Sequence, residues 1–427
     1  MQRYDTYKDS GVKWIGEIPS HWEVKRLASY FTERRVKVSD KEYEPLSVTK
    51  LGVFPQWENV AKTNDGDNRK LVKKGDFVIN SRSDRKGSSG VADRDGSVSL
   101  INIVLKPRNT IRADFSNYLL KSYKFIEEYY RNGRGIVADL WTTRYDEMKM
   151  IKLALPPLEE QTAIANYLDT ATAKIDAAIA QQQKMIDLLN ERKQIIINRA
   201  VTKGLNPNAK MKDSGVEWIG EVPEGWEVRR VKSITSKVGS GVTPRGGGET
   251  YVDKGVMFLR SQNIYFEGFK LDDVAFITDA VDASMSNTRV KVGDVLFNIT
   301  GGSIGRCYYV PEGFPKANVN QHVSIVRPYN FSTEYLYYLL RSHMSQIQVD
   351  LQQTGGNREG LTAFALKNFV FPIPPKTEQK MIIHYLNDVD MKLEQTIQNC
   401  QNQISLLQER KQIIINEVVT GKVKVVL

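Results

Sequence analysis

The chain is written twice over. KDSGVKWIGEIPSHWEVKR at 8–26 returns as KDSGVEWIGEVPEGWEVRR at 212–230, PPLEEQTAIANYL at 156–168 has a counterpart in PPKTEQKMIIHYL at 374–386, and ERKQIIIN stands unchanged at 191–198 and 409–416. The order is therefore a constant opening, a variable block and a constant closing segment, followed by the same plan around a different variable block. Repeats of this length exceed solenoid units, which run to roughly 20–50 residues. They imply two similar half-molecules, each a globular domain followed by a helical segment.

The closing segments carry one apolar stripe each. After Pro156-Pro157 neither Gly nor Pro occurs until Gly204, and Ile164, Leu168, Ala171, Ile175, Ile179, Ile186, Leu189 and Ile196 recur at helical spacing. The second copy places Ile382, Leu386, Val389, Leu393, Ile397, Ile404, Leu407 and Ile414 in the same register. A helix of about 40 residues extends roughly 60 Å, beyond the width of a small domain, so its stripe needs the other copy or a partner as cover. Antiparallel pairing satisfies both stripes and puts the variable blocks at opposite ends. Three consecutive isoleucines exceed what a narrow seam buries, which assigns Ile195, Ile196, Ile197, Ile413, Ile414 and Ile415 to contact with another subunit.

The variable blocks, about 20–155 and 224–372, read as mixed strand and helix. VKKGDFVIN at 72–80 and VKVGDVLFN at 290–298 each place a Gly-Asp turn before a strand, and helices are expected at Asn117 to Tyr130 and Thr333 to Ile347. The expected division is a first domain at 1–154, a helix at 155–205, a second domain at 206–372 and a second helix at 373–427. The fold class is thus α+β: two mixed α/β domains separated by two long antiparallel helices, a coiled-coil spacer, with a pseudo-two-fold internal repeat.

A formal charge of +10, from 60 Lys and Arg against 50 Asp and Glu, is compatible with nucleic acid as partner without requiring it. Cys307 and Cys400 alone give neither a disulfide framework nor a Cys-rich metal site. No apolar run approaches the ~20 residues that cross a bilayer, and no leader pattern opens the chain, so a soluble cytoplasmic protein with no membrane partner is expected. Catalytic motifs are missing: there is no phosphate loop ending in GK[ST], no H-E-x-x-H, and no metal spacing among His21, His322, His343 and His384. Glu147 near Asp139 resembles a nuclease carboxylate pair only as chance would provide. The expectation is a non-catalytic chain.

Chemistry instead collects in polar loops beside strands. The first block has NSRSDRKGSSG at 80–90 and a basic stretch around Trp141; the second has TPRGGG at 243–248, LRSQNI at 259–264, NITGGSIGR at 298–306, ANVNQH at 317–322 and TGGNREG at 354–360. Arg, Asn and Gln make bidentate bonds to base edges, and Gly admits close approach of backbone to phosphate. Candidate DNA-binding residues are Ser81, Arg82, Arg85, Lys86, Arg134 and Arg144 in the first block. In the second they are Arg245, Arg260, Gln262, Asn263, Thr300, Arg306, Asn320, Gln321, Asn357 and Arg358. His322 is read as structural or DNA-facing.

Taken together, the duplicated plan, the KDSGVxWIGExP opening, the PPLEEQ and ERKQIIIN segments, and GDVLFNITGGSIGR followed by ANVNQH resemble the specificity subunits of type I restriction-modification systems. The resemblance spans essentially the whole chain. It implies two target-recognition domains, each reading one half of a split, asymmetric site in double-stranded DNA. It implies helices that set the spacer and dock two modification (methyltransferase) subunits, with restriction subunits as further partners. It also implies that S-adenosylmethionine is held by the modification subunit and ATP by the restriction subunit, with no cofactor in this chain. A coiled-coil adaptor that binds only proteins is the alternative, and it leaves the Arg- and Asn-bearing loops unused.

Overall fold

The computed structural model describes residues 2–56, 66–135, 141–352 and 360–425. Its helices are α1 (Ala113–Lys121), α2 (Tyr123–Arg131), α3 (Tyr145–Met148), α4 (Leu158–Lys203), α5 (Asp279–Ser284), α6 (Thr333–Arg341), α7 (His343–Gln352), α8 (Ala363–Lys367) and α9 (Lys376–Val419). The chain divides into two compact units. The first is Met1–Gln183 with Gln401–Leu427 and the second is Lys184–Cys400. Each unit therefore holds one strand-rich block and a stretch of both long helices.

The same framework is built in each unit. In the first, a four-stranded antiparallel sheet runs in the order Ser89–Val91, Phe77–Asn80, Asn102–Pro107, Phe31–Glu33. In the second, Cys307–Tyr309, Val295–Asn298, Val323–Pro328 and Thr235–Ser240 take the same places. The expected Gly-Asp turns precede the central strand of each sheet. Their aspartates are buried and satisfied in parallel: Asp76 accepts from Arg34 (2.6 and 3.0 Å) and Asp294 from Arg327 (2.7 and 2.8 Å). A bidentate guanidinium supplies the hydrogen bonds that a carboxylate loses when it is buried.

The units part company in a smaller three-stranded sheet. In the first unit Gly96–Ser99, Arg69–Val72 and Lys37–Val38 are all antiparallel. In the second, Val256–Leu259 pairs antiparallel with Ala275–Ile277 but parallel with Ala317–Val319. Unlike connections therefore leave the ends of this sheet in the two units.

Where one helix was expected in each block there are two. α1 and α2 break at Ser122, and α6 and α7 break at Ser342. Each serine is extended and gives its hydroxyl to a carbonyl of the preceding turn, Leu119 or Leu339 (both 2.7 Å). Ser122 also receives the N–H of Phe125. Ser122, which ends one helix, thus caps the next, a role its short side chain fits.

The long helices span 46 and 44 residues, each starting just after its proline pair. Each is followed by a glycine in the left-handed region, Gly204 (φ 69°) and Gly421 (φ 72°), the usual C-terminal stop. In the first unit Gly421 lies against Trp22, whose indole N–H donates to Glu160 (3.2 Å) near the start of α4. Farther along, Lys411 bonds Asp176 (2.6 Å), so the two helical stretches run antiparallel there. The second unit repeats this: Gly204 lies against Trp226 and Glu378, Trp226 donates to Glu378 (2.9 Å), and Lys193 bonds Glu394 (2.9 Å).

The strand-rich blocks dock on the helices through matching tyrosines. Tyr118 of α1 donates to Asp169 (2.6 Å), and Tyr338 of α6 donates to Asn387 (2.7 Å). Beside Tyr338 the second unit adds a buried ion pair, Arg341 to Asp390 at 2.6 Å. The core of the first unit joins Trp22, Phe31, Phe77, Phe115 and Phe125 to Ile164, Leu168 and Val418. That of the second joins Trp226, Phe297, Tyr335, Phe369 and Phe371 to Ile197, Ile382 and Leu386.

Candidate nucleic-acid interface

In the first unit the central strand ends at Asn80, whose side-chain oxygen accepts the N–H of Arg82 (3.0 Å) and turns the chain outward. The stretch from Ser81 then meets the segment around Trp141. Thr143 N–H donates to Ser81 O (3.0 Å), Ser83 N–H donates to Trp141 O (3.0 Å), and Thr142 bridges both Arg82 and Arg134. Trp141 is fixed by its indole N–H on Tyr130 O (2.8 Å). Two stretches about sixty residues apart are thereby fused into one basic edge.

Arg82, Arg85, Arg134 and Arg144 are exposed on that edge. Arg85 stands 3.7 Å from Asp84, and Arg134 is 3.4 Å from Glu147 while remaining 84% exposed. Lys86 is held more firmly, 2.8 Å from Glu127 and 4.5 Å above the Tyr130 ring. Glu147 also accepts the backbone N–H of Arg144 (3.1 Å) at the start of α3, so it serves as a structural carboxylate. Asp139, its imagined companion, lies outside the described residues.

In the second unit four loops converge on the end of the small sheet. Asn320 N–H donates to Leu259 O (3.1 Å), Ile299 N–H to His322 O (3.0 Å), Val242 N–H to Val319 O (3.2 Å), and Asn298 Nδ2 to Ser261 O (2.8 Å). The Gly241 turn needs glycine for lack of space, since a Cβ there would overlap the carbonyls of Val319 and Asn320. Thus Arg245, Arg260, Gln262, Thr300, Arg306 and Gln321 come onto one face-forming cluster of loops. Asn357 and Arg358 lie outside the described residues.

Within this cluster the roles separate. Arg260 is anchored to Asp273 (2.7 Å to its carbonyl) and lies 5.8 Å over the Tyr251 ring, and the exposed Gln262 donates to the Asp273 carboxylate (2.8 Å). Arg306 stacks on Tyr265 (4.9 Å), with Lys270 at 4.1 Å from the same ring. Asn263 is a correction: it is 2% exposed, and its amide accepts from Arg260 N–H (2.9 Å) and donates to Lys270 O (2.9 Å). Asn320 likewise is buried and accepts the His322 N–H (3.1 Å). Asn263 shapes its loop, because a side chain spent on local backbone at both its oxygen and its nitrogen has no edge left for a base.

The strand Ala317–Val319 behind the cluster is braced by buried Asp282. Burial would raise its carboxyl pKa, but hydrogen bonds from Arg289, Lys316 and Asn318 prevail and hold it down to about 2. Three residues of the cluster were not singled out from sequence: Asn298, Tyr251 and Tyr265. The signal for Asn298 was present, since FVIN and VLFN both end the central strand on asparagine. The tyrosines carry no such pattern in sequence and belong to the cluster through Arg260 and Arg306, which lie over their rings.

The isoleucine triplets divide by direction. Ile197 (0% exposed), Ile414 and Ile415 are buried in their own units, contrary to their assignment to a partner, and Ile196 is half-buried, one side packed on the second core. Successive helical residues turn by about 100°, so three in a row cannot share one face. Ile195 (60%) and Ile413 (49%) remain exposed at the same place in each repeat. Ile195 borders a cavity of about 900 Å³ with Leu340 and Ser345. Among the described residues no cluster of His, Cys, Asp and Glu is arranged to hold a metal, and no helix is long and apolar enough to cross a membrane.

A family model for the type I restriction modification DNA specificity domain matches residues 19–186 and 223–403. The type I restriction enzyme MjaVIII specificity subunit of Methanocaldococcus jannaschii is 25% identical, over 98% of this chain and 97% of its own. The EcoBI specificity subunit of Escherichia coli is 24% identical over 63% of this chain and 58% of its own. A solved chain from a study of assembly and conformational transition of the type I restriction-modification system has the same fold, with a TM-score of 0.68 at 15% identity over 95% of this chain and 99% of that one.

Proposed function

The chain belongs to the family of type I restriction-modification DNA specificity domains, and on that premise we propose that it is the DNA specificity subunit of such a system, each unit reading one half of a split, asymmetric site. The observation that carries this reading is one framework built twice with unlike loops at the equivalent end of the sheet. Identical loops would read identical half-sites and call for a palindrome, whereas these call for two different sequences. The exposed arginines of the first unit suit guanine edges and phosphates, and the mixed Arg and Gln cluster of the second adds adenine to its range.

The subunit itself is non-catalytic and works by placement. Two modification subunits dock on the repeated helix surfaces marked by Ile195 and Ile413, one per repeat, as near-equivalent faces invite. Methylation of adenine then draws S-adenosylmethionine from those partners, and translocation and cleavage draw ATP from restriction subunits. The helices fix the distance between half-sites, with centres about 10 bp apart if both domains enter the major groove from one side. This activity belongs to the cytoplasm, where DNA and partners are available. Mapping methylated bases in cells with and without the chain tests the reading. A split adenine-methylated motif that vanishes with the chain is expected, and an unchanged methylome would refute it.

A further inference from the structure

We infer, on the premise that modification subunits dock at Ile195 and Ile413, that the copy at Ile195 inserts an aromatic side chain, flanked by acidic residues, into the cavity beside it. The two docking faces are therefore unequal. The cavity, about 900 Å³, lies between α4 and the junction of α6 with α7, with Ile195, Leu340, Ser345 and Phe266 on its lining. A volume of that size takes an aromatic ring together with the turn of chain that carries it.

The first unit shows what the framework holds at this place. Ser122 and Ser342 mark the same break between helices, and three residues on stand Phe125 and Ser345. Phe125 is fully buried and packs on Trp14 (6.2 Å between ring centroids) and Tyr129 (6.3 Å). Ser345 is 2% exposed, and its hydroxyl has no partner among the described residues. An unpaired hydroxyl in a core position costs stability rather than adding it. The long helices repeat the difference. Asn416 accepts the Lys124 N–H (3.3 Å) and ties α9 to the start of α2, whereas the Asn198 oxygen, on a residue lining the cavity, is buried without such a bond. The second unit thus lacks one ring where the first supplies its own, next to an exposed isoleucine.

The rim gives the occupant its charge. Arg199 and Lys203 are exposed there, one helical turn apart, while Glu191 stands two turns back along α4. The buried Arg341 is already met by Asp390 at 2.6 Å. In the first unit Glu417 takes the place of Arg199, and Thr420 runs directly into Gly421 with no residue for Lys203. A ring flanked by carboxylates is therefore attracted at Ile195 and opposed at Ile413. Of two identical partners, the one at Ile195 is held tighter.

The test mixes the full-length chain with the modification subunit of the same system and counts bound copies by native mass spectrometry on dilution. Wild type is expected to hold two copies when concentrated and one when dilute, the retained copy being lost in Ile195→Asp and kept in Ile413→Asp. Ser345→Phe, which gives the second unit the residue of the first, should weaken the retained copy at least about tenfold. Arg199→Glu should act in the same direction from an exposed position, with circular dichroism unchanged. One aromatic→Ala change in the modification subunit should reproduce the loss at the Ile195 face, with no further loss when combined with Ser345→Phe. Equal affinities at the two faces in wild type, or a retained copy indifferent to both chain variants, would overturn the inference. So would a dimer of the chain that Ser345→Phe dissolves while modification subunits bind unchanged, which gives the cavity to a second copy. If wild type binds no modification subunit at all, the docking proposed above fails and this inference falls with it.

Discussion

The Arg341–Asp390 pair joins α6 to α9 inside the second unit, and breaking it should loosen that unit alone. The Arg341 side chain is 1% exposed and that of Asp390 13%. One guanidinium nitrogen, Nη1, donates to both Asp390 (2.6 Å) and the Tyr337 hydroxyl (2.6 Å), while Glu267 is farther away at 3.9 Å and half exposed. Asp390 is thus the close counter-charge. Its replacement by Leu strands a cation among Phe266, Tyr337 and Leu340, and removal of one partner from a buried pair costs about 3–5 kcal/mol. That corresponds to an opening constant for the second unit raised by roughly two to three and a half orders of magnitude. Removing both charges, with Arg341→Met added, should recover most of that loss, since well-packed apolar pairs replace buried ion pairs at little cost and Lys193, 3.6 Å from Asp390, keeps Glu394 at 2.9 Å. Hydrogen exchange read by mass spectrometry on peptides of α6 and α9 reports the effect, with α1 and α2 as the internal reference. A loss below about 1 kcal/mol for Asp390→Leu, or equal loss in both units, would refute the reasoning.

Ile195→Asp and Ile413→Asp alter exposed side chains, so each should leave folding intact and reduce the modification subunits bound from two to one, as counted by native mass spectrometry. Gly241→Ala forces a Cβ onto the Val319 and Asn320 carbonyls; overpacking of this kind costs about 1–3 kcal/mol and should erase the half-site of the second unit in a duplex selection while sparing the other. Asp282 has a folded pKa depressed to about 2, so its contribution is complete above the ordinary carboxylate range and is lost as pH falls from about 4 toward 2. Acid unfolding followed by circular dichroism should therefore show the stability gap between wild type and Asp282→Asn closing across that interval.

The long helices were legible because their limits are covalent and local: a proline pair before each, a glycine after each, and an unbroken 3.6-residue period between. The fold class and the Gly-Asp turns were legible for the same reason. Less visible was the exchange of helix ends, by which Gly421 closes over Trp22 and Gly204 over Glu378, because each depends on a contact across well over a hundred residues. The octapeptide ERKQIIIN shows the limit of local reading. Its terminal asparagine accepts from the Lys124 N–H at Asn416, yet the Asn198 oxygen is buried without a protein partner. Identical residues acquired different surroundings from unlike neighbours. At the candidate interface the residue types were readable, but Asn263 and Asn320 were distinguished from Gln262 and Gln321 only by burial. Alternation of exposed and buried positions in a loop follows no period that a sequence displays.

The central claim is that each unit reads its own half of one split site. It is tested most directly by mapping methylated adenines in cells carrying the chain and its modification subunits, comparing Arg82→Ala with Arg134→Ala in the first unit against Gln262→Ala with Gln321→Ala in the second. The first pair should relax bases in one half of the motif and the second pair bases in the other, with the spacing unchanged. Relaxation of the same half by both pairs, or a motif that is continuous rather than split, would contradict it.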